Sequence, residues 1–466
     1  MNTRLDLATI FATRDHAVDA IHELVQARMA DFAHSPALIS SRPGTTAEID
    51  LEGKTFILDR PLVLRNLQLV TLCNGTLVAG PGFPEGEFLI RVKYAHGLHL
   101  RNLFLECSKR ASGVHLEDFF RIRIEDCYLV HQRDFGIYSA PKGNNHELEV
   151  IKCHIAEFLH RDGLPQNTSN YGVIPRFDVD ANRQSTGVFL GQADNVVADC
   201  NINLCRTGIH CGMRANRIHG NHITGGGSQD LELYRGIELD NTFKSSAVIT
   251  NNYIDNCCLW IDCGADPAWN LRNYFHVTGN LFYRGYNHPR EGAEFSHIVV
   301  NPRDPGSLIA NLHVCDNKFY NQPENLEGLK PRVIRPLRVN GAGPADEGPW
   351  LDHARLTGIT MRDNAFTNCF PTFVTPMGTC VTKVVTTDGR GGQLQVDFDE
   401  EIALGHLKRA TVSVVGFEGP EPPRVAIRRI RDRKVELWVS GGGAARITLT
   451  AIADGNSSQR YDYFVN

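Results

Sequence analysis

Short apolar stretches recur along this chain at strand spacing, each broken by a polar pair. The stretch Arg235 to Cys263 reads RGIELDNTFKSSAVITNNYIDNCCLWIDC. Its apolar residues Ile237, Leu239, Val248, Ile254, Leu259 and Ile261 are separated by Asn, Asp, Ser and Gly, which form turns. One phrase recurs throughout: apolar, any residue, then Asp, Asn or Gly, then Asn or Cys, any residue, apolar. It occurs as Ile124 to Leu129, Val150 to Ile155, Val197 to Ile202, Ile218 to Ile223 and Ile249 to Ile254. It continues as Val277 to Phe282, Val314 to Phe319 and Met361 to Phe366, with a degenerate copy at Leu100 to Leu105.

A second phrase follows each copy: Gly, then Val or Ile, any residue, and an apolar or small one. Gly113 to Leu116, Gly136 to Ser139, Gly187 to Leu190, Gly208 to Cys211 and Gly236 to Leu239 are its instances, with looser ones at 259–262, 298–301 and 337–340. From 103 to 127, 127 to 153 and 200 to 221 the first phrase repeats after 24, 26 and 21 residues. Short strands at that period, with no helix between them, predict a solenoid of parallel strands. The repeats resemble the right-handed parallel β-helix of pectate-lyase-like proteins over residues 45 to about 370, as an architectural match that brings no catalytic motif.

In that architecture Cys127, Cys153, Cys200, Asn221, Asn252, Asn280, Asn317 and Asn364 share one position in successive coils. They are expected to stack as an internal ladder at the strand spacing of about 4.8 Å, a structural role that removes them from the candidate site.

The interval between the two phrases varies, and the extra residues enter at one corner: His160 to Thr186, Thr224 to Arg235, Tyr283 to His297 and Asn321 to Pro336. Insertions on one side of a solenoid commonly build a binding wall or a subunit contact. Because strand side chains alternate, the residues flanking each buried aliphatic point outward. One outward column then reads His115, Tyr138, Phe189, His210, Glu238, Trp260, Val299, Arg338, and its neighbour Glu117, Ala140, Gly191, Gly212, Asp240, Asp262, Asn301, Asn340. An aromatic, acidic and hydrogen-bonding groove suits a chain of sugars, whose rings stack on aromatics and whose hydroxyls meet carboxylates and amides.

The candidate substrate-binding residues are Tyr138, Phe189, His210, Trp260, Asn301 and Arg338. The candidate catalytic residues are Glu238, Asp240 and Asp262, since two close carboxyls supply the acid and the carboxylate that glycoside cleavage needs. The competing reading makes them ligands of sugar hydroxyls or partners of an Arg such as Arg235. Asp178 and Asp180 form no EF-hand pattern, and no zinc, phosphate-loop or serine-hydrolase motif occurs, so neither a metal nor a cofactor is expected.

Composition narrows the classes. Against 48 Lys and Arg stand 53 Asp and Glu in 466 residues, so no global field recruits nucleic acid. The first twenty residues lack a signal-peptide pattern and no run of 18 apolar residues occurs, so synthesis in the cytoplasm and no membrane insertion are expected. The 13 cysteines are expected to be reduced and buried.

Residues 1–44 form an attachment or capping segment, with Ile21, Leu24, Val25, Met29 and Phe32 on one stripe of a helix beginning near Thr13. Residues 45–375 are the solenoid. Residues 376–466 lose the phrase and alternate as six strands of a small antiparallel, sandwich-like β-domain, with the basic run 424–434 at a solvated strand edge. In their order these parts resemble trimeric spike and fibre proteins of bacteriophages and phage-like particles. That resemblance implies a homotrimer on a virion surface, bound to other particle proteins through the N-terminal segment and recognising a bacterial cell-surface or capsular polysaccharide, with or without cleaving it. The alternative is an intracellular carbohydrate-active enzyme, hydrolase, lyase or fructotransferase-like, on the same scaffold.

Overall fold

The computed structural model describes residues 47–157, 184–225 except 214, 234–240, 246–263, 274–284, 295–302, 312–321, 334–339, 359–367 except 363, 380–388, 391–398, 406–431, 434–454 and 463–464. The N-terminal helix expected from 13 onward, and the four insertions apart from their ends, lie outside them. The chain divides into two compact units, residues 1–260 with 280–290, and residues 261–279 with 291–466.

The first unit is a parallel β-helix. Each coil contributes three short strands, and each strand pairs in parallel with its counterpart one coil on. One row of strands runs Phe135–Ser139, Thr186–Leu190, Thr207–Cys211, Arg235–Asp240. A second runs His146–Ile151, Val196–Ala198, Asn216–His219, Ala247–Thr250, and a third His154–Ala156, Asn201–Asn203, His222–Thr224, Tyr253–Asp255, Leu281–Arg284.

The first phrase is the corner between the second and third rows. Its Asp, Asn or Gly is the residue that turns the chain with positive φ: Asn102, Asp126, Asp199, Gly220 and Asn251 lie between 51° and 68°. Asn, Asp and Gly tolerate that left-handed conformation best; Lys152, at φ 53°, is the exception. The flanking apolar positions stack into the core. Ile124, Val150, Val197, Ile218 and Ile249 align in one column and Leu129, Ile155, Ile202, Ile223, Ile254 and Phe282 in another, all at most 1% exposed. Each such side chain contributes roughly 1.5 to 3 kcal/mol by leaving water.

The expected internal ladder is present. The Cys153 amide donates to Cys200 Sγ at 3.4 Å and the Cys200 amide to Asn221 Oδ1 at 2.9 Å. Asn221 donates to Asn252 Oδ1 from both its backbone and its side chain (3.0 and 2.9 Å), and Asn252 does the same to Asn280 (both 2.9 Å). Their side-chain amides also cap carbonyls one coil back, at Val197, Ile218 and Ile249. Each Asn thus satisfies a buried turn that would otherwise leave a donor and an acceptor unpaired.

The glycine of the second phrase has a packing cause. A Cβ at Gly136, Gly187 or Gly208 would lie 2.5 to 2.6 Å from the carbonyl oxygen of the matching glycine one coil on. The column stays glycine because the coils approach backbone to backbone there.

The four insertions lie where expected, but extra residues do not enter at one corner alone: 264–274, 303–311 and 340–358 separate Cys258–Cys263 from Phe275–Thr278, Phe295–Pro302 from Leu312–Cys315, and Ile334–Val339 from Ile359–Arg362. The longest of the four, His160 to Thr186, is held at its stem by Glu157, which accepts from the Ser185 hydroxyl at 2.5 Å and pairs with Lys109 at 3.1 Å.

The second unit carries further parallel pairs, Phe275–Thr278 with Leu312–Cys315 and Ile359–Arg362, Phe295–Pro302 with Ile334–Val339, and Lys318–Asn321 with Ala365–Thr367. Asn317 continues the corner pattern, donating to Asn364 Oδ1 from backbone and side chain at 2.9 and 3.1 Å.

Its C-terminal part is antiparallel. Cys380–Thr387, Ala445–Asp454 and His406–Phe417 form one sheet; Gly392–Asp397, Lys434–Ser440, Arg424–Arg431 and Tyr463–Phe464 form another. Residues of both sheets, among them Val435, Leu437, Ile447 and Leu449, share one apolar cluster. The basic strand Arg424–Arg431 pairs along its length with Lys434–Ser440, while Tyr463–Phe464 reaches only Arg429 and Ile430 on its other side. Most of it is the sheet edge expected.

Eleven cysteines, from Cys73 to Cys315, are buried and in no disulfide. Among the described residues, no helix is long and apolar enough to cross a membrane.

Candidate functional site

The first row of strands carries the candidate site, and its register is the one the sequence implies. His115 pairs with Tyr138, Tyr138 with Phe189, Phe189 with His210 and His210 with Glu238. One coil apart, the aromatic rings touch. Centroid separations along His115, Tyr138, Phe189 and His210 are 5.5, 4.9 and 4.7 Å with planes within 30° of parallel. Phe88 lies 5.0 Å from His115, and Phe135 lies 4.7 Å from Tyr138.

This arrangement refines the expectation that sugar rings lie flat on these aromatics. Rings stacked along the helix axis turn their faces to each other and present edges outward. Burial raises the Tyr138 phenol and lowers the His115 imidazole, so these two are neutral near pH 7.

Glu238 follows where the wall ends. The sequence places it, with Asp240, Trp260 and Asp262, on a solvated face; the structure sinks them to 8, 9, 8 and 6% exposure. Arg235, three residues before Glu238, bonds to its Oε1 and lays its guanidinium over the Trp260 ring, 4.3 Å from the centroid. Thr207 donates its hydroxyl to Glu238 Oε2 at 3.2 Å, and His210 Nδ1 stands 3.5 Å from the same oxygen. Burial pushes the carboxyl up, but the His210 hydrogen bond and charge and the Arg235 cation outweigh it and hold Glu238 down at about 2. Glu238 is therefore an ion across the physiological range. Held that low it is a weak base as well as a poor acid, fitted to stabilise positive charge rather than to exchange a proton.

The second column lies alongside. At its start Lys93 pairs with Glu117 at 2.9 Å, which lowers the Glu117 carboxyl and raises the lysine. Then Ala140, Gly191 and Gly212 follow, tied coil to coil by backbone bonds to Leu116, Ser139 and Leu190 of 2.9, 3.1 and 2.9 Å. Asp240 comes next in order, since Gly212 and Asp240 each follow the paired residues Cys211 and Leu239. The floor beside the aromatic wall thus carries almost no side chains until it meets a carboxylate.

Asp262, Asn301 and Arg338 belong to the second unit. Asn301 donates its side-chain amide to Asp262 Oδ1 at 2.7 Å, and Arg338 stands opposite Val299 in the strand pair.

Sequence reasoning named Arg235 only as an optional partner and passed over Thr207, Phe88 and Phe135. The readable signal was the residue before the repeated glycine, since Phe135, Thr186, Thr207 and Arg235 stack in one register column. Among the described residues, no group of three His, Cys, Asp or Glu is placed to hold a metal ion.

No protein-family profile matches the chain. By sequence it is similar to polygalacturonase QRT3 of Arabidopsis thaliana, 25% identical over 419 residues, spanning 87% of this chain and 74% of that protein. Among solved structures it is similar to the tailspike gp61 of Pseudomonas phage phi297, at TM-score 0.45 and 13% identity over 83% of this chain and 67% of that one. It is also similar to the A-module of the mannuronan C-5 epimerase AlgE4 of Azotobacter vinelandii, at TM-score 0.40 and 10% identity over 77% and 94%.

Proposed function

We propose that this chain is a carbohydrate-active β-helix protein that binds a polysaccharide along the face from Tyr138 to Asp240. The observation that supports it most is Glu238, a carboxylate held ionised at about 2 where a wall of stacked rings ends, beside a column of small residues that leads to Asp240. The similarity to a polygalacturonase over 87% of the chain points the same way.

For chemistry, Glu238 is the anion of the pair that stabilises positive charge at the sugar carbon, Asp240 supplies the proton to the leaving oxygen, and water adds to the carbon so freed. Tyr138, Phe189 and His210 line the path by their edges. Trp260 stiffens Arg235.

The test is reducing-end release and ultraviolet absorbance on polygalacturonate and a panel of acidic and neutral bacterial capsular polysaccharides, with wild type against Glu238→Gln and Asp240→Asn. Release lost in both variants supports cleavage at this site. Binding without release reduces the carboxylates to hydroxyl ligands, and no binding to any polymer contradicts the reading.

The order of parts, a segment 1–44, a β-helix over 45–375 and antiparallel sheets within 376–466, supports a finer proposal. In it the chain is a homotrimeric spike on a phage or phage-like particle, attached through its first 44 residues. Sedimentation equilibrium of the purified chain tests it: three times the chain's 51.8 kDa is expected, and a monomer would count against the spike.

A further inference from the structure

The basic run of residues 424–434 has no part in the face from Tyr138 to Asp240, and its sheet makes a surface of it. Lys434–Ser440 is the middle strand between Gly392–Asp397 and Arg424–Arg431. Its Val435, Leu437 and Val439 are buried in the apolar cluster of the two sheets, so Glu436 and Trp438 point to the other side. Arg424, Ala426 and Arg428 lie on that outer side of the neighbouring strand. A bulge between Ile427 and Arg429 then sets Arg429 opposite Glu436 and Arg431 opposite Lys434, so basic residues face outward on both sides of the irregularity. Four arginines and no acid occupy the eight residues of this strand, in a chain whose formal net charge is -5.

Trp438 is the centre of the surface. It is 49% exposed, and its direct cross-strand neighbours are Gln393 on one side and the short Ala426 on the other. Beside it the polar side chains hold one another. Arg428 Nη1 reaches across the middle strand to donate to Gln393 Oε1 at 3.2 Å, and Gln393 donates its amide to Glu436 Oε2 at 3.2 Å. Exposed bonds of this kind add little to stability, yet they set the direction of each group in the row. The guanidinium keeps further N–H donors, and Glu436 a second oxygen, for a ligand.

This chemistry selects an occupant. An indole open to solvent stacks on the C–H side of a sugar ring, while the carboxylate accepts from the sugar's hydroxyls. The arginines complement a polymer that carries carboxylates of its own. A nucleic acid would meet the arginines equally well, but its phosphates bring no hydroxyl hydrogen to Glu436 and repel it.

We propose that the outer face of this sheet is a second polysaccharide site, which binds an acidic glycan by stacking a sugar on Trp438 and pairing its carboxylates with Arg424 and Arg428. The proposal takes from the polysaccharide reading above only that the chain binds glycans, and it shares no residue with the first face.

The test is calorimetric titration of polygalacturonate, neutral dextran and polydeoxythymidylate into the full chain, with thermal unfolding of each variant. Trp438→Ala and the double variant Arg424→Gln, Arg428→Gln are each expected to keep the wild-type Tm and to bind polygalacturonate about tenfold more weakly. The double variant is also expected to show a shallower fall of affinity with salt. Should Trp438→Ala fail to fold, the arginine pair decides. Wild-type affinity for polygalacturonate in these variants overturns the proposal. Binding of polydeoxythymidylate but not of polygalacturonate, lost in the same variants, assigns the face to nucleic acid and overturns it too. Loss in Trp438→Ala with wild-type affinity in Asp240→Asn supports this site and counts against the first face; the reverse overturns this site alone. Wild type that binds no polymer overturns both.

Discussion

Two columns of side chains climb the same shaft at one residue per coil, and they follow opposite rules. Inside, from Asn221 through Asn252 to Asn280, one residue type repeats because every coil poses the same problem, a buried turn with a donor and an acceptor to satisfy. Outside, from His115 through Tyr138, Phe189 and His210 to Glu238, each coil changes the residue while the register stays fixed. The interior column changes once, from Cys to Asn after Cys200, and from Asn221 on each member is the partner of the next. The exterior column is free to vary, and its variation from aromatic rings to a buried anion is where chemistry is written onto a repetitive scaffold.

The sharpest way to break the comparison is within the ladder. Asn252→Ala removes the acceptor of two Asn221 donors and the side-chain donor to Asn280 and Ile218. With buried groups left unsatisfied on both sides, it is expected to cost about 3 to 4 kcal/mol in urea unfolding. A cost below about 1 kcal/mol would show that the ladder is not what holds the coils.

Glu238→Gln is expected to cost less, up to about 3 kcal/mol at neutral pH, because a carboxyl held at about 2 instead of its ordinary 4.5 favours the folded ion by that much. The sign follows from the depressed value. The contribution is complete above about pH 4.5 and fades as pH falls toward 2, so wild type loses stability through that window and the variant loses less. Parallel acid-unfolding curves would contradict this.

Arg235→Met removes the cation from Glu238 and the stacked plane from Trp260, for roughly 1 kcal/mol. It raises the Glu238 carboxyl toward its ordinary value, so this variant too loses less stability than wild type as pH falls from about 4.5 toward 2, an effect that loss of packing alone does not produce. The smallest effect is expected at Tyr128, 52% exposed on a different face and stacked on Phe104 and His154. Tyr128→Ala is expected to cost about 0.5 kcal/mol and to leave glycan affinity unchanged; a loss of affinity would move the binding face.

What the sequence made legible was whatever repeats. The corner phrase carries its own turn residue, since Asp126, Asp199 and Asn251 occupy the left-handed position each time, and the aliphatics beside it fix which positions face inward. The outward register followed from the same phase. Features made once were hidden. The burial of Glu238 depends on Arg235 folding back over three residues and on Thr207 and His210 from the coil before, which alternation does not encode. A second buried run, Asn145, Asn195 and Asn216, went unseen because its members bond across coils without a constant phrase around them. The ring-on-ring stacking was equally hidden, since alternation gives a side and not a tilt.

The most direct test of the central claim is to compare one exterior and one interior variant by calorimetric titration of polygalacturonate and the capsular panel. Asp240→Asn is expected to keep the wild-type unfolding midpoint while glycan affinity falls at least tenfold, and Asn280→Asp is expected to lower the midpoint while any chain that remains folded binds as wild type does. Wild-type affinity in Asp240→Asn would contradict the account, because the exterior column would then be no more than the outside of a shaft.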